Sequence, residues 1–273
     1  MKKITYLILM FAIISCQKED IDSSLTPAYL EINNITLDDG THLPSVTDAW
    51  VYVDDNLIGV YELPANFPTS EEGVHQVRIR AGIKDNGISG TRIPYPFYSS
   101  YVIDTFDFNS NNALVLTPQV SYIENIDFFN EDFEGVGLDL EITSISDTTI
   151  LKFNNSTNNY GGAILIDSLF NFELSTDELS DLPQAGAPVY LELDYKSNTQ
   201  FLVGVYVNFP QSVLQKDLLY INPKEDWNKI YINLTSAISE AVGANSFKVF
   251  ISMQRDFALD TNSIFFDNIK VVY

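Results

Sequence analysis

The reactive residue types are few and unevenly placed. Cys16 is the only cysteine, so its thiol has no intramolecular disulfide partner and calls for another use. Only His42 and His75 offer imidazole. His42 lies in a turn-like Asp38-Asp39-Gly40-Thr41-His42 stretch, and His75 shares a strand face with Val77 and Ile79, which reads as packing rather than base chemistry. No nucleophile elbow, zincin helix or phosphate loop is present. A carboxylate pair for glycoside hydrolysis stays open, because 37 acids offer many pairings. Aromatic rings beside polar residues offer another chemistry, stacking against the apolar face of a sugar. Tyr160 follows an Asn/Ser/Thr run and precedes Gly161-Gly162; Tyr206 and Phe209 lie beside Asn208 and Pro210, near a strand end; Tyr220 is a further candidate. Trp227 opens a strand and reads as core.

The elements that must position these groups are strands. Trp50–Val53, the turn Asp54-Asp55-Asn56 and Leu57–Tyr61 read as a hairpin, followed by a strand over Gly73–Gly82 and further strands at Tyr29–Ile35, Tyr101–Phe108 and Ala113–Val120. The loop from Lys84 to Tyr98 is long for a compact β domain. Its Arg92, Tyr95, Phe97 and Tyr98 make it a candidate contact surface for a partner protein. Beyond a boundary near 120–130 the pattern gives strands at Leu138–Ile145, Thr149–Phe153, Ala163–Phe172, Val189–Tyr195, Phe201–Phe209, Leu218–Ile221, Trp227–Leu234, Phe247–Met253 and Ile264–Val272. One short helix is expected at Ser236–Val242, capped by Thr235 and stopped by Gly243. The reading is an all-β protein: a small β-sandwich over 28–120, then a jelly-roll β-sandwich over 121–273.

Charge narrows the partners. The chain carries 15 basic and 37 acidic residues, a net charge of −22. This argues against nucleic acid and anionic lipid, which need basic patches, and leaves divalent cations as plausible ligands. The 18 Phe and 15 Tyr give enough apolar mass for a sizeable core.

Four stretches resemble known families. Met1-Lys2-Lys3 and the apolar run Ile4–Ile14, too short to span a bilayer at about 20 residues, form a secretory leader. It ends in Ile13-Ile14-Ser15-Cys16, which resembles the bacterial lipobox. The resemblance implies cleavage after residue 15, lipid on Cys16 and a membrane anchor, with 16–27 as a tether and a net charge of −24 once Lys2 and Lys3 are gone. Gln17-Lys18-Glu19-Asp20-Ile21-Asp22 resembles the export signal of Bacteroidetes lipoproteins, which implies the outer face of the outer membrane. The order Val-Asp-Asp-Asn-Leu-Ile-Gly, prolines at 64–68, then Gly-Val-His-Gln-Val-Arg-Ile resembles PEGA-type envelope modules, which are spacers or adhesion modules.

The second half resembles jelly-roll carbohydrate-binding modules. The likeness rests on Asp-Phe-Glu-Gly at 132–135, Asp-Trp-Asn-Lys-Ile-Tyr-Ile-Asn-Leu at 226–234 and Ile-Phe-Phe-Asp-Asn-Ile-Lys-Val-Val at 264–272. It implies a polysaccharide ligand and a structural calcium shared by Glu134 and Asp267. Alternation adds to the latter: Asp267 falls on a face with Phe265, Ile269 and Val271, where an unpaired carboxylate is costly. The whole reads as a non-catalytic envelope protein that binds a glycan or an envelope protein, with the 84–98 loop as the alternative point of contact.

Overall fold

The structure is a computed structural model that describes residues 27–38, 45–109, 113–156 and 158–273. Cys16, the 16–26 stretch and His42 lie outside the described residues.

The regular elements of the described residues are all β-strands except for one five-residue helix. In the first half, β1 (Ala28–Ile32) lies between β5 (Ala65–Thr69), antiparallel, and β9 (Ala113–Leu116), parallel. The short β2 (Thr36–Leu37) pairs in parallel with β10 (Gln119–Val120). Facing them is a sheet of order β4 (Asn56–Glu62), β3 (Val46–Val53), β6 (Gly73–Lys84), β7 (Arg92–Pro94), with β8 (Tyr101–Phe108) also on β6. The expected hairpin forms between β3 and β4, with Val53 opposite Asn56. Its two-residue turn is Asp54-Asp55, both left-handed at φ 45° and 63°. That is the backbone a primed turn requires, and Asp tolerates it better than most residues.

The second half is a sandwich of two sheets. One runs β13 (Leu151–Asn154), β14 (Asn159–Leu165), β21 (Asn262–Val272), β16 (Tyr190–Ser197), β19 (Lys224–Asn233), with β11 (Phe128–Glu131) also on β21. The other runs β12 (Leu140–Ile142), β15 (Asn171–Thr176), β20 (Ser246–Gln254), β17 (Phe201–Phe209), β18 (Ser212–Ile221). Phe133, Phe172, Phe201, Phe247 and Phe266 fill the space between them. The expected strand over Ala163–Phe172 is in fact two. Asp167 turns the chain at φ 50°, and β14 and β15 go to opposite sheets. The helix α1 spans Thr235–Ser239, shorter than expected. Thr235 does not cap it; its Oγ1 accepts a hydrogen bond from the Val189 N–H instead, 3.1 Å away.

The halves share a core. Tyr190, Tyr231 and Val272, from the outer face of the second half's first sheet, pack among the apolar residues of the first half. The 84–98 loop is what meets them. Tyr95, Phe97 and Tyr98 are 1–3% exposed, and the Tyr95 ring lies 4.7 Å from Tyr231 and 5.5 Å from Tyr190. The expectation of a partner-binding loop is therefore corrected: burying its three aromatics joins this chain to itself. Arg92 is occupied too, by ion pairs with the buried Asp48 and, at 3.5 Å, with Glu62.

Candidate functional site

The outer face of the β12-β15-β20-β17-β18 sheet carries a built arrangement of rings and polar groups. On β17, Phe201, Val203, Val205 and Val207 point into the core, so Leu202, Gly204 and Tyr206 point out. On β20, Phe247, Val249, Ile251 and Met253 point in, leaving Lys248, Phe250, Ser252 and Gln254 outside. Phe250 is fully buried all the same. It lies flat over Gly204, where an added Cβ would sit 2.3 Å from the Phe250 Cζ. Tyr206 lies over Phe250 in turn, with ring centroids 4.7 Å apart at 37°.

The Tyr206 hydroxyl donates a 2.6 Å hydrogen bond to Oε1 of Glu173, a buried carboxylate that also accepts from Thr143 Oγ1 at 2.8 Å. Burial and then the neighbouring Glu173 raise the phenol's pKa well above the ordinary range, so the ring stays neutral. Beside it Lys248 pairs with Glu141.

At the other end of the face, Leu202 stands opposite Tyr220, which is 62% exposed. Tyr220 walls a pocket of about 260 Å³ together with Gln200, Ser252, Gln254, Arg255 and Asp256. Arg255 is held by the Asp167 carbonyl and lies over Phe257 at 5.5 Å, while its buried Nε has no partner. Four residues of strand separate Tyr206 from Leu202, so Tyr206 and Tyr220 are roughly 14 Å apart on one face. Two rings at that spacing, with amides and a guanidinium between and beyond them, suit an extended ligand with alternating apolar faces and hydroxyls.

The structure separates the other expected platform residues. Phe209, at the end of β17, packs against the core and offers no platform. Tyr160 sits on the opposite sheet. It stacks on Phe153 at 5.5 Å and meets Trp227 and Phe265 edge-on at 5.4 and 5.9 Å. Lys196 fills this cluster, its Nζ 5.1–5.6 Å from the Phe265, Trp227 and Tyr160 rings. Tilted rings already covered by the chain's own ammonium form a cation–π cluster, not an open flat platform. Trp227 is 40% exposed there, against the expectation of a core residue. Sequence reasoning missed Phe250, Glu173 and Arg255. Gly204 was the available signal, since a glycine inside a strand marks a close approach.

Glu134 and Asp267, the expected calcium ligands, are hydrogen-bonded by the chain itself. All four of their carboxylate oxygens accept N–H groups: Glu134 from the Asn159 backbone (2.8 Å) and amide (2.6 Å), Asp267 from the Asn158 amide (2.6 Å) and the Asn268 backbone (2.8 Å). Among the described residues no three His, Cys, Asp or Glu side chains converge to hold a metal, whereas calcium takes 6–8 oxygens. The two acids anchor the β13–β14 connection. Asp267 leaves the expected face for a local reason: β21 bulges at Asn268, φ 49°. Ile264 and Phe266 point in before the bulge and Ile269 and Val271 after it, so Asp267 does not share their face. Burial raises the Asp267 pKa, with nearby Asp194 and Asp132 adding to it against the two hydrogen bonds.

No protein-family model and no curated protein matches the chain. Similar solved structures include a family 22 carbohydrate-binding module, a xylan-binding domain from Paenibacillus barcinonensis. It is 12% identical, covers 52% of this chain and 97% of its own, and has a TM-score of 0.38. A family 11 carbohydrate-binding module from Clostridium thermocellum, in complex with a mixed-linked β-1,3-1,4 tetrasaccharide, is 13% identical over 55% of this chain and 89% of its own, with a TM-score of 0.34. A second family 22 xylan-binding domain is 12% identical over 55% and 96%, with a TM-score of 0.39.

Proposed function

We propose that this chain is a non-catalytic envelope lipoprotein that binds a polysaccharide along the outer face between Tyr206 and Tyr220. The observation that carries the reading is Tyr206 itself. Its ring is laid over Phe250 by Gly204 and fixed by a buried carboxylate, an arrangement the core does not need. The exposed Tyr220 beside a polar pocket extends it. The reading is non-catalytic because Glu173 is spent holding Tyr206, and His75, the one described histidine, is bound to Asp54 and Glu72 elsewhere. Anchoring is supported by the leader and Cys16 alone, and palmitate incorporation that disappears in Cys16→Ser tests it.

Binding is tested by screening the purified full-length protein against neutral xylo-, gluco-, manno- and galacto-oligosaccharides, then titrating any hit into Tyr206→Ala and Tyr220→Ala. Each variant is expected to weaken binding about tenfold, the equivalent of about 1.4 kcal/mol. Unchanged affinity in both variants would remove this face from the reading.

A further inference from the structure

Between the two halves lies a cleft of about 500 Å³. The first half contributes Lys84, Asn86 and Gly87; the second contributes Tyr220, Asn222 and Lys224. Its charge is the reverse of the chain's. Acids outnumber bases 37 to 15 overall, yet among the described residues the cleft is lined by three lysines and by no aspartate or glutamate.

Lys229 is neutralised inside the fold, 3.0 Å from Glu192 and 3.8 Å from Asp194. Lys84 and Lys224 are different: neither forms an ion pair with any described carboxylate. Two lysines outside any ion pair among the described residues, one from each half, thus line one cavity in an otherwise anionic molecule. A cleft lined by one sign of charge concentrates the field and draws the opposite ion.

Tyr220 lines both this cleft and the pocket on the outer face. The cleft and the outer-face pocket therefore meet at Tyr220. We infer that the cleft binds an anionic sugar, a hexuronate or a sulfate ester, as the continuation of the glycan held on the outer face. This rests on the glycan reading above and narrows it to acidic polysaccharides. The anion meets Lys84 from one half and Lys224 from the other, so the site is complete only in the whole protein.

The test titrates the full-length protein with oligogalacturonate, a sulfated galacto-oligosaccharide and a neutral galacto-oligosaccharide of equal length. At least one acidic ligand is expected to bind about tenfold tighter than the neutral one and to lose that margin in the Lys84→Gln/Lys224→Gln double variant. The margin also shrinks when salt rises from about 50 to about 500 mM, while neutral binding holds. Which acidic ligand wins separates carboxylate from sulfate. If neutral and acidic ligands bind alike, or the double variant keeps the margin, the inference is overturned. If neutral binding then still falls in Tyr206→Ala, the outer-face reading survives it. Acidic binding that depends on the two lysines but not on Tyr206 upholds the cleft and overturns the outer face instead.

Discussion

The Tyr95 hydroxyl donates a 2.8 Å hydrogen bond to Oε1 of Glu192, and the two residues come from opposite halves of the chain. Glu192 is fully buried. It also accepts from the Tyr122 hydroxyl at 2.9 and 3.0 Å and pairs with Lys229 at 3.0 Å. Burial alone lowers the Lys229 pKa, but Glu192, Tyr231 and Asp194 together carry it above the ordinary lysine value. Burial, and then Glu192, push the Tyr95 phenol well up, so it remains a donor.

Removing Glu192 leaves the buried Lys229 with only Asp194, 3.8 Å away, to offset its charge. Glu192→Ala is expected to cost about 3–5 kcal/mol in denaturant unfolding. Tyr95→Phe, which removes one donor of several, costs about 1–2 kcal/mol. A Glu192→Ala loss below that of Tyr95→Phe would show that this cluster does not hold the halves together.

His75 gives a pH signature in the hairpin region. Its Nδ1 lies 2.6 Å from Asp54 Oδ2 and its Nε2 2.8 Å from the Glu72 carbonyl, and these bonds raise its pKa above 6.5. The same contact, with the Gln76 N–H, lowers Asp54 below 3.8. The histidine's contribution is complete below pH 6.5 and fades as pH rises through its folded value; the aspartate's is complete above pH 3.8 and fades as pH falls through its own. The pair is thus tightest in mildly acid solution. An NMR titration should place His75 above 6.5 and return it towards that value in Asp54→Asn.

Gly204 is predicted to be intolerant of a side chain. A Cβ there would lie 2.3 Å from Phe250 Cζ and 2.5 Å from the Lys216 carbonyl oxygen, which is backbone. Gly204→Ala should cost about 1–3 kcal/mol through overpacking and, by lifting Phe250, displace the Tyr206 ring. Glycan affinity then falls together with the melting temperature, whereas Tyr206→Phe keeps the ring and forfeits only the bond to Glu173. A stable Gly204→Ala protein would contradict this account of the face.

Calcium should leave the protein indifferent. With amide donors on every oxygen of Glu134 and Asp267, neither added calcium nor a chelator is expected to move the melting temperature by more than about 1 °C, since only a ligand that binds the native state shifts it. A rise of several degrees on adding calcium would reinstate the cation.

Local pattern explains what was legible. The Trp50–Tyr61 hairpin was readable because alternation and turn chemistry lie within a dozen residues. Tyr206 was picked out by its polar neighbours, and its strand brings it onto one face with Tyr220. Long-range pairing hid the rest. Tyr95, Phe97 and Tyr98 read as a contact surface because nothing near them in sequence announces Tyr190 and Tyr231, roughly a hundred residues on. Tyr160 and Trp227 meet only because β14 and β19 are strands of the same sheet. Asp267 was misplaced by one inserted residue, since a single bulge reverses strand parity.

The position of β1 has a mechanical consequence. This strand is flanked on both sides, by β5 and by β9, and it is the first described strand. A pull on its amino end runs along its axis and loads both ladders at once, in shear, instead of peeling them bond by bond. Hauled on by whatever precedes Ala28, the molecule resists as a lap joint does, not as a zipper.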